Sequence, residues 1–421
     1  MINPSKLKTF IPPNTKQLNT NIEKKIKNVA KLIYNAKKPL LHLGHGVRIS
    51  KAREISKKFI EKHNIPFALT WNASDLIEHN HPLFIGKPGA FSERGSNFIV
   101  QSSDLYISIG SRLPYMITGY NSNDFARNAK KIMVDIDKKE LSKNNSKFIN
   151  ISIECDAYEF IKKLSSYMKK QNKKNLSWIK YCTKIRKKFP IIEEGYKFEK
   201  KINSYYFIEN LSSCLSNRAS IITDMGLSFV GTHQAFKIKR GQKLFTNSGH
   251  APMGWGLPAS IGAYFSDKKR QIICLSGEGG FQMNIQELST LMHHKIPLKI
   301  FIYNNGGYLT IKQTQELGFN KRIMGANKES GISFPNYKEI SKAHKIKYFS
   351  IKSNINLKKQ IKNVLSLKKA VICELFMSHN QEQKPKAINR RDQNGNTVPT
   401  TFEDMYPFID SKLIKSSFYN D

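Results

Sequence analysis

Two hydrophobic spacings alternate along this chain. Ile22, Ile26, Val29, Ala30 and Ile33 fall three and four residues apart beneath a run of lysines, which predicts a helix with one face in a core. Short apolar runs at 38–43, 104–109, 131–136, 221–223, 271–276 and 298–303 are of strand length, and five of them open into glycine-bearing turns. Between the last two runs, Ile285, Leu288, Leu291 and Met292 return to helical spacing, so residues 271–303 read as strand, turn, helix, strand. This alternation predicts the α/β class, with two Rossmann-like, doubly wound parallel-sheet domains. The expected boundaries are a linker over 1–20, a central domain over 21–168, a charged connecting segment over 169–200, a second domain over 201–378 and a polar, Gly- and Asn-rich tail over 379–421.

Candidate chemistry concentrates after the run 271–276. Gly277-Glu278-Gly279-Gly280 leads toward the helix and Asn304-Asn305 follows the next strand. Both fall at the carboxyl ends of parallel strands, where open α/β sheets bind ligands. Glycines at 277, 279 and 280 let backbone N–H groups approach an anion, and a following helix N-terminus favours negative charge. The Glu278 carboxylate and the Asn305 amide oxygen are hard donors suited to Mg²⁺, an ion that commonly shares its octahedral shell with phosphate oxygens. A diphosphate held through Mg²⁺ is the ligand this pairing favours.

The formal charge of +37 on 421 residues changes this picture little. Its clusters at 24–38, 162–188 and 197–201 read mostly as helical faces, and no aromatic-interleaved basic motif accompanies them, so no nucleic-acid partner is expected. Cysteines 155, 182, 214, 274 and 373 show no paired spacing, which points to a reducing cytoplasm rather than a disulfide frame or a zinc site. No signal-like or membrane-length apolar segment occurs, so no membrane partner is expected. The pairs His42/His45, His79/His81 and His293/His294 are assigned ordinary polar roles rather than metal ligation.

The interval from Glu278 to Asn305, 305 − 278 = 27, and the words around it resemble the metal and diphosphate anchor of the thiamine diphosphate enzymes. Phe281-Gln282-Met283-Asn284-Ile285-Gln286-Glu287-Leu288 is similar to the corresponding helix of the acetolactate synthase catalytic subunit. The resemblance implies thiamine diphosphate and Mg²⁺ as cofactors, with Glu278, Asn305 and the Gly307 carbonyl as metal ligands. It also implies diphosphate contacts at Gly277, Gly279, Gly280, Gly226 and Ser228. Two departures stand out: the family's acidic ligand is Asp where this chain has Glu278, and its Gln-His pair is Leu227-Ser228 here. Asn247 through Ala263 resembles the segment ending in a Met-Gly-x-Gly-Leu-Pro-Ala run, in which the family's Met props the cofactor in a bent form. Met253 therefore has two readings, that prop or a core methionine.

In the same family the central domain holds FAD, ADP or nothing. The turns at Gly44 and Gly46, at Gly110 and Arg112, and at Asp156 resemble the flavin-binding ones, whereas the family's Phe-Asp-Asp after the arginine is Leu113-Pro114-Tyr115 here. The family's Gln-Trp-Gln, whose Trp lines the second-substrate pocket, aligns with Gln313-Thr314-Gln315, and Thr310 lies one turn earlier, so Thr310 and Thr314 are the implied pocket residues. Loss of a large apolar wall alters discrimination by about 1–3 kcal/mol.

A pyrimidine-binding domain, with the glutamate that activates the cofactor, is not found in these residues; the opening Asn3 to Asn14 resembles the linker that follows it. A separate subunit, a truncated gene start and a silent paralogue all remain open. The expected function is decarboxylation or carboligation of a 2-oxo acid such as pyruvate, acetolactate synthase-like, with a pyrimidine-domain partner and self-association. The alternative is a non-catalytic cofactor-binding or regulatory subunit.

Overall fold

The computed structural model describes residues 3, 5, 7–9, 20–145, 148–168, 175–391, 394–398 and 400–419. Most of the expected linker, and the start of the expected connecting segment at 169–174, lie outside these residues. Two parallel sheets organise the rest. Strands β1 (Pro39–Leu43), β2 (Phe67–Leu69), β3 (Leu105–Ile109), β4 (Lys130–Asp135) and β5 (Ile151–Glu154) form the first, in the order β2-β1-β3-β4-β5. Strands β6 (Ala219–Thr223), β7 (Lys243–Phe245), β8 (Gln271–Gly277), β9 (Lys299–Asn304), β10 (Lys347–Ile351) and β11 (Val371–Phe376) form the second, in the order β10-β11-β9-β8-β6-β7. Every ladder in both sheets is parallel.

Helices cover the sheets, so central strands are buried on both faces and read as continuous apolar runs rather than alternating ones. The Thr20–Asn35 helix buries Ile26, Val29, Ala30 and Ile33 and leaves its lysines in water, as its spacing predicted. After β1 the chain forms two helical pieces, Gly46–Ile49 and Arg53–His63. Lys51 between them adopts φ 59°, a left-handed conformation that a continuous helix cannot contain.

The second sheet places its ligand crevice by topology. From β6 the chain crosses to β7 on one side and then to β8 on the other. The order reverses between β6 and β8, and the loops leaving their carboxyl ends diverge there. The last segment of the chain then returns to the first sheet. The Arg94 guanidinium donates to the carbonyls of Met405, at 2.9 Å, and Pro407, while Asn97 donates to Phe402 at 2.9 Å. Glu403 is buried on Arg127 and Gln101. The expected tail is thus part of the packing around the Arg94–Ser102 helix.

One buried group on β1 sets an acid limb to stability. His42 packs with its Nδ1 on the Tyr106 hydroxyl, and burial, partly offset by a backbone hydrogen bond at Leu69, lowers its pKa from 6.5 to about 3. A base whose folded pKa is depressed stays neutral while the unfolded chain gains a proton, so stability is lost as pH falls below 6.5. At about 1.4 kcal/mol per unit, His42 alone is expected to remove about 2 kcal/mol between pH 7 and pH 5. Urea denaturation of His42→Gln should show a correspondingly shallower loss; an unchanged pH slope would refute it.

Candidate functional site

The carboxyl ends of β6, β8 and β9 open into one cavity of about 150 Å³, whose lining includes Gly226, Ser228, Met253, Gly277, Glu278 and Asn305. Residues quoted from three separate stretches of sequence therefore share a wall. Glu278 opens the Glu278–Met283 helix and is buried. Its Oε1 accepts from the backbone N–H of Asn305 at 3.1 Å and of Gly307 at 2.8 Å, so the carboxylate is strapped to the loop after β9. The Tyr337 hydroxyl donates to the Glu278 carbonyl at 2.6 Å and fixes the helix start. Burial raises the Glu278 pKa from 4.5 to about 7, and the loop N–H groups only partly oppose it. Asn305 is buried too, and its Oδ1 has no hydrogen-bond partner among the described residues. A carboxylate that is costly to ionise and an unsatisfied amide oxygen, both on one cavity, are deficient in positive charge.

The glycines differ in their work. A Cβ on Gly277 would meet nothing within 4 Å, so that position is open. On Gly279 it would strike the Tyr308 ring at 2.1 Å, and on Gly280 the Asp224 carboxylate at 2.5 Å. The helix starts at Glu278 rather than after the glycines, which puts Gly279 and Gly280 in its first turn. Their missing side chains admit Tyr308 and Asp224.

Asp224 is the residue that the sequence reading passed over. Its buried carboxylate accepts from Ser276 Oγ at 2.7 Å, Met225 N at 2.9 Å and Gly254 N at 3.0 Å. Burial raises its pKa, and those same hydrogen bonds oppose the rise. It ties the end of β6 to the end of β8 and to the turn that carries Met253. An acid closing an apolar strand at the carboxyl edge of a parallel sheet was the available signal. Glu374 gave a similar signal, a lone charge inside the run Val371–Phe376. It accepts from Asn304 Nδ2 and Tyr348 Oη, each at 2.5 Å, and so anchors the strand end from which Asn305 projects.

Met253 is 39% exposed at the cavity mouth, which removes the core-methionine reading. Gly226 takes φ 75°, and the Ser228 hydroxyl donates to the Met225 carbonyl at 3.0 Å, its oxygen still able to accept. Thr310 lines the cavity and accepts from Gln383 at 3.0 Å, whereas the Thr314 hydroxyl donates back to the Thr310 carbonyl at 2.9 Å. Among the described residues no three His, Cys, Asp or Glu side chains converge on a metal position. An ion at Glu278 would thus draw on Asn305, the backbone and its own ligand.

Gly44, Gly46 and Gly110 lie at the other sheet. A Cβ on Gly44 would sit 2.1 Å from the Gly110 carbonyl oxygen, and one on Gly46 2.8 Å from Gly110 Cα. The contact of these two turns with each other requires glycine without any ligand. Arg112 follows at φ 54° and is exposed, and Asp156 caps the Ala157–Tyr167 helix by accepting from Tyr158 N and Glu159 N.

Comparison with known proteins accords with this arrangement. Residues 26–164 match the family model of the thiamine pyrophosphate enzyme central domain, and residues 224–375 that of the C-terminal TPP binding domain. The acetolactate synthase large subunit of Porphyra purpurea is 29% identical over 379 residues, 89% of this chain and 62% of the relative. The acetolactate synthase isozyme 1 large subunit of Escherichia coli (strain K12) is 32% identical over 312 residues, 74% of this chain and 54% of the relative. A probable acetolactate synthase large subunit of Methanococcus aeolicus is 31% identical over 360 residues, 82% of this chain and 58% of the relative. The chain thus spans somewhat over half the length of these relatives.

Proposed function

We propose, from the premise that this chain belongs to the thiamine pyrophosphate enzymes and carries their central and C-terminal TPP binding domains, that it holds the diphosphate end of thiamine diphosphate through Mg²⁺. The reaction served is decarboxylation or carboligation of a 2-oxo acid such as pyruvate, in the manner of the acetolactate synthase large subunits to which it is similar. The observation that carries this reading is the pairing of Glu278, raised toward neutrality by burial, with the unpartnered Oδ1 of Asn305 on one cavity. A divalent cation relieves both at once. At about 150 Å³ the cavity suits an ion and a diphosphate rather than a whole cofactor.

Each residue of the chain then has a task. Glu278, Asn305 and the Gly307 carbonyl hold the ion, and Gly277, Gly279, Gly280, Gly226 and Ser228 form the wall behind the diphosphate. Met253 props the cofactor at the mouth, and Thr310 and Thr314 face the 2-oxo acid. Bound thiamine diphosphate supplies the electron sink for the carbon that loses carbon dioxide. The aminopyrimidine end needs a carboxylate from a pyrimidine-binding domain, assembled with this chain in the cytoplasm, and the assembly pairs two such sites by symmetry.

Calorimetric titration of thiamine diphosphate into the full chain, with Mg²⁺ and with EDTA, tests the anchor. Binding is expected with Mg²⁺ and absent in EDTA; equal affinity in both would remove the metal from the site. Flavin is a separate matter. With Gly44, Gly46 and Gly110 explained by turn contact and the Asp156 carboxylate engaged as a helix cap, purified material is expected to carry little or no FAD. A yellow preparation with stoichiometric flavin by absorbance would contradict this.

A further inference from the structure

Met253 is exposed at the cavity mouth, so its side chain is placed by its backbone rather than by packing in a core. That backbone is tightly held. Ala251, two residues before it, takes φ 54°, and Gly254, one residue after it, takes φ 86°. Both backbone groups of Gly254 are bound by side chains from other elements: its N–H donates to Asp224 Oδ1 at 3.0 Å, and its carbonyl accepts from Asn284 Nδ2 at 2.8 Å. A Cβ on Gly254 would lie 2.9 Å from Asn284 Nδ2 and from Met283 Cβ, so the amide occupies the place a side chain would take. Gln286 Nε2 donates to Asn284 Oδ1 at 3.0 Å, which turns the amide nitrogen toward Gly254. Upstream, the Ser248 hydroxyl donates to Asn72 Oδ1 at 2.8 Å, and Ala251 N to the Asn247 carbonyl at 3.0 Å. Asn284 is also the C-cap of the Glu278–Met283 helix, whose first residue is the candidate metal ligand. One short rigid element, rising roughly 9 Å from residue 278 to residue 284, carries the anchor at one end and the clamp on the Met253 turn at the other.

We propose that Asn284 is a positioning residue: through the Gly254 carbonyl it fixes Met253 at a set reach from the Glu278 anchor, and so gives the site its preference for a diphosphate that carries an organic ring system over diphosphate alone. This rests on the reading of the cavity as the diphosphate end of thiamine diphosphate. The physical argument is preorganisation. A methionine on a loose turn must be ordered, backbone and side chain together, whenever a ring packs against it, whereas a turn already clamped leaves only side-chain torsions to fix. Glycine at 254 makes the clamp necessary. Without it, the residue with the widest choice of φ and ψ would join Met253 to the Gly256–Ser266 helix. Inorganic diphosphate engages the ion and the glycine wall without needing Met253, so it is indifferent to the clamp.

Calorimetry of the full chain in Mg²⁺ tests this, with thiamine diphosphate and inorganic diphosphate as the two probes. Asn284→Ala should weaken thiamine diphosphate by about five- to tenfold, the worth of one ordinary hydrogen bond, and leave inorganic diphosphate within about twofold. Retained diphosphate affinity also shows that the variant is folded. Because Asn284 acts through Met253, Asn284→Ala should add little to the loss that Met253→Ala causes by itself. The inference is overturned if Asn284→Ala leaves thiamine diphosphate affinity unchanged, if it weakens both probes alike, as a merely structural role would, or if the two losses add in the double variant. A wild-type chain that binds neither probe overturns the cofactor reading and this inference with it. One that binds both, while the variants give any of those three results, overturns the inference alone.

Discussion

Glu278→Ala is expected to weaken Mg²⁺-dependent binding of thiamine diphosphate by about a hundredfold, and Asn305→Ala by about tenfold, at about 1.4 kcal/mol per decade. The order follows from charge. Glu278 contributes an anionic ligand, and its strap to the Asn305 and Gly307 N–H groups sets the shape of the loop around the ion. Asn305 contributes one neutral oxygen. Stability separates these effects from misfolding. The Asn305 Oδ1 has no partner among the described residues, so its loss should leave the thermal midpoint of the cofactor-free chain unchanged. Glu278→Asp, which restores the family's usual ligand, should preserve or tighten binding. Calorimetry that finds wild-type affinity in either alanine variant would show the anchor to be misplaced.

Purified as the 421-residue polypeptide, the chain is expected to turn over no pyruvate, and to gain activity when a polypeptide bearing a pyrimidine-binding domain is added. The reason lies in the lining of the site. Glu278 is the sole carboxylate among the lining residues, and its Oε1 is committed to the loop after β9. Met253 is 39% exposed at the mouth, so whatever lies beyond it faces solvent. Proton transfer in catalysis requires a positioned acid or base within hydrogen-bond reach, and the described lining residues offer no further one there. Activity in the mixture should vanish when the partner's activating glutamate becomes glutamine. A pyruvate-consumption assay in which the purified chain works alone would sink this account, whereas silence in every mixture would favour the non-catalytic subunit.

That Glu278 and Asn305 share one cavity was legible because it is short-range in sequence terms. The glycine run, Glu278 and Asn305 sit on consecutive strands of one parallel unit, and that topology puts the ends of consecutive strands side by side. The apolar runs and the 20–35 helix were legible for the same reason, since strand and helix periodicity are local properties. The work of individual glycines was not. That the Cβ space of Gly279 is taken by the Tyr308 ring and that of Gly280 by Asp224, which follows a strand some fifty residues earlier, could not be read from the glycines themselves. That the turns at Gly44 and Gly110 touch one another likewise shows only in the fold.

By itself the sequence determined the α/β class, the thiamine diphosphate family and the βαβ unit, because each rests on residue type and spacing along the chain. Tertiary structure alone decided that Asp224 joins β6, β8 and the Met253 turn, that Glu374 anchors Asn304, that Met253 stands at a mouth rather than in a core, and that the final segment packs beside Arg94 and Asn97. Burial is the physical reason. Whether a polar group is satisfied, and whether a charge is stabilised or desolvated, depends on everything that packs around it in space, and no local pattern of residues carries that information.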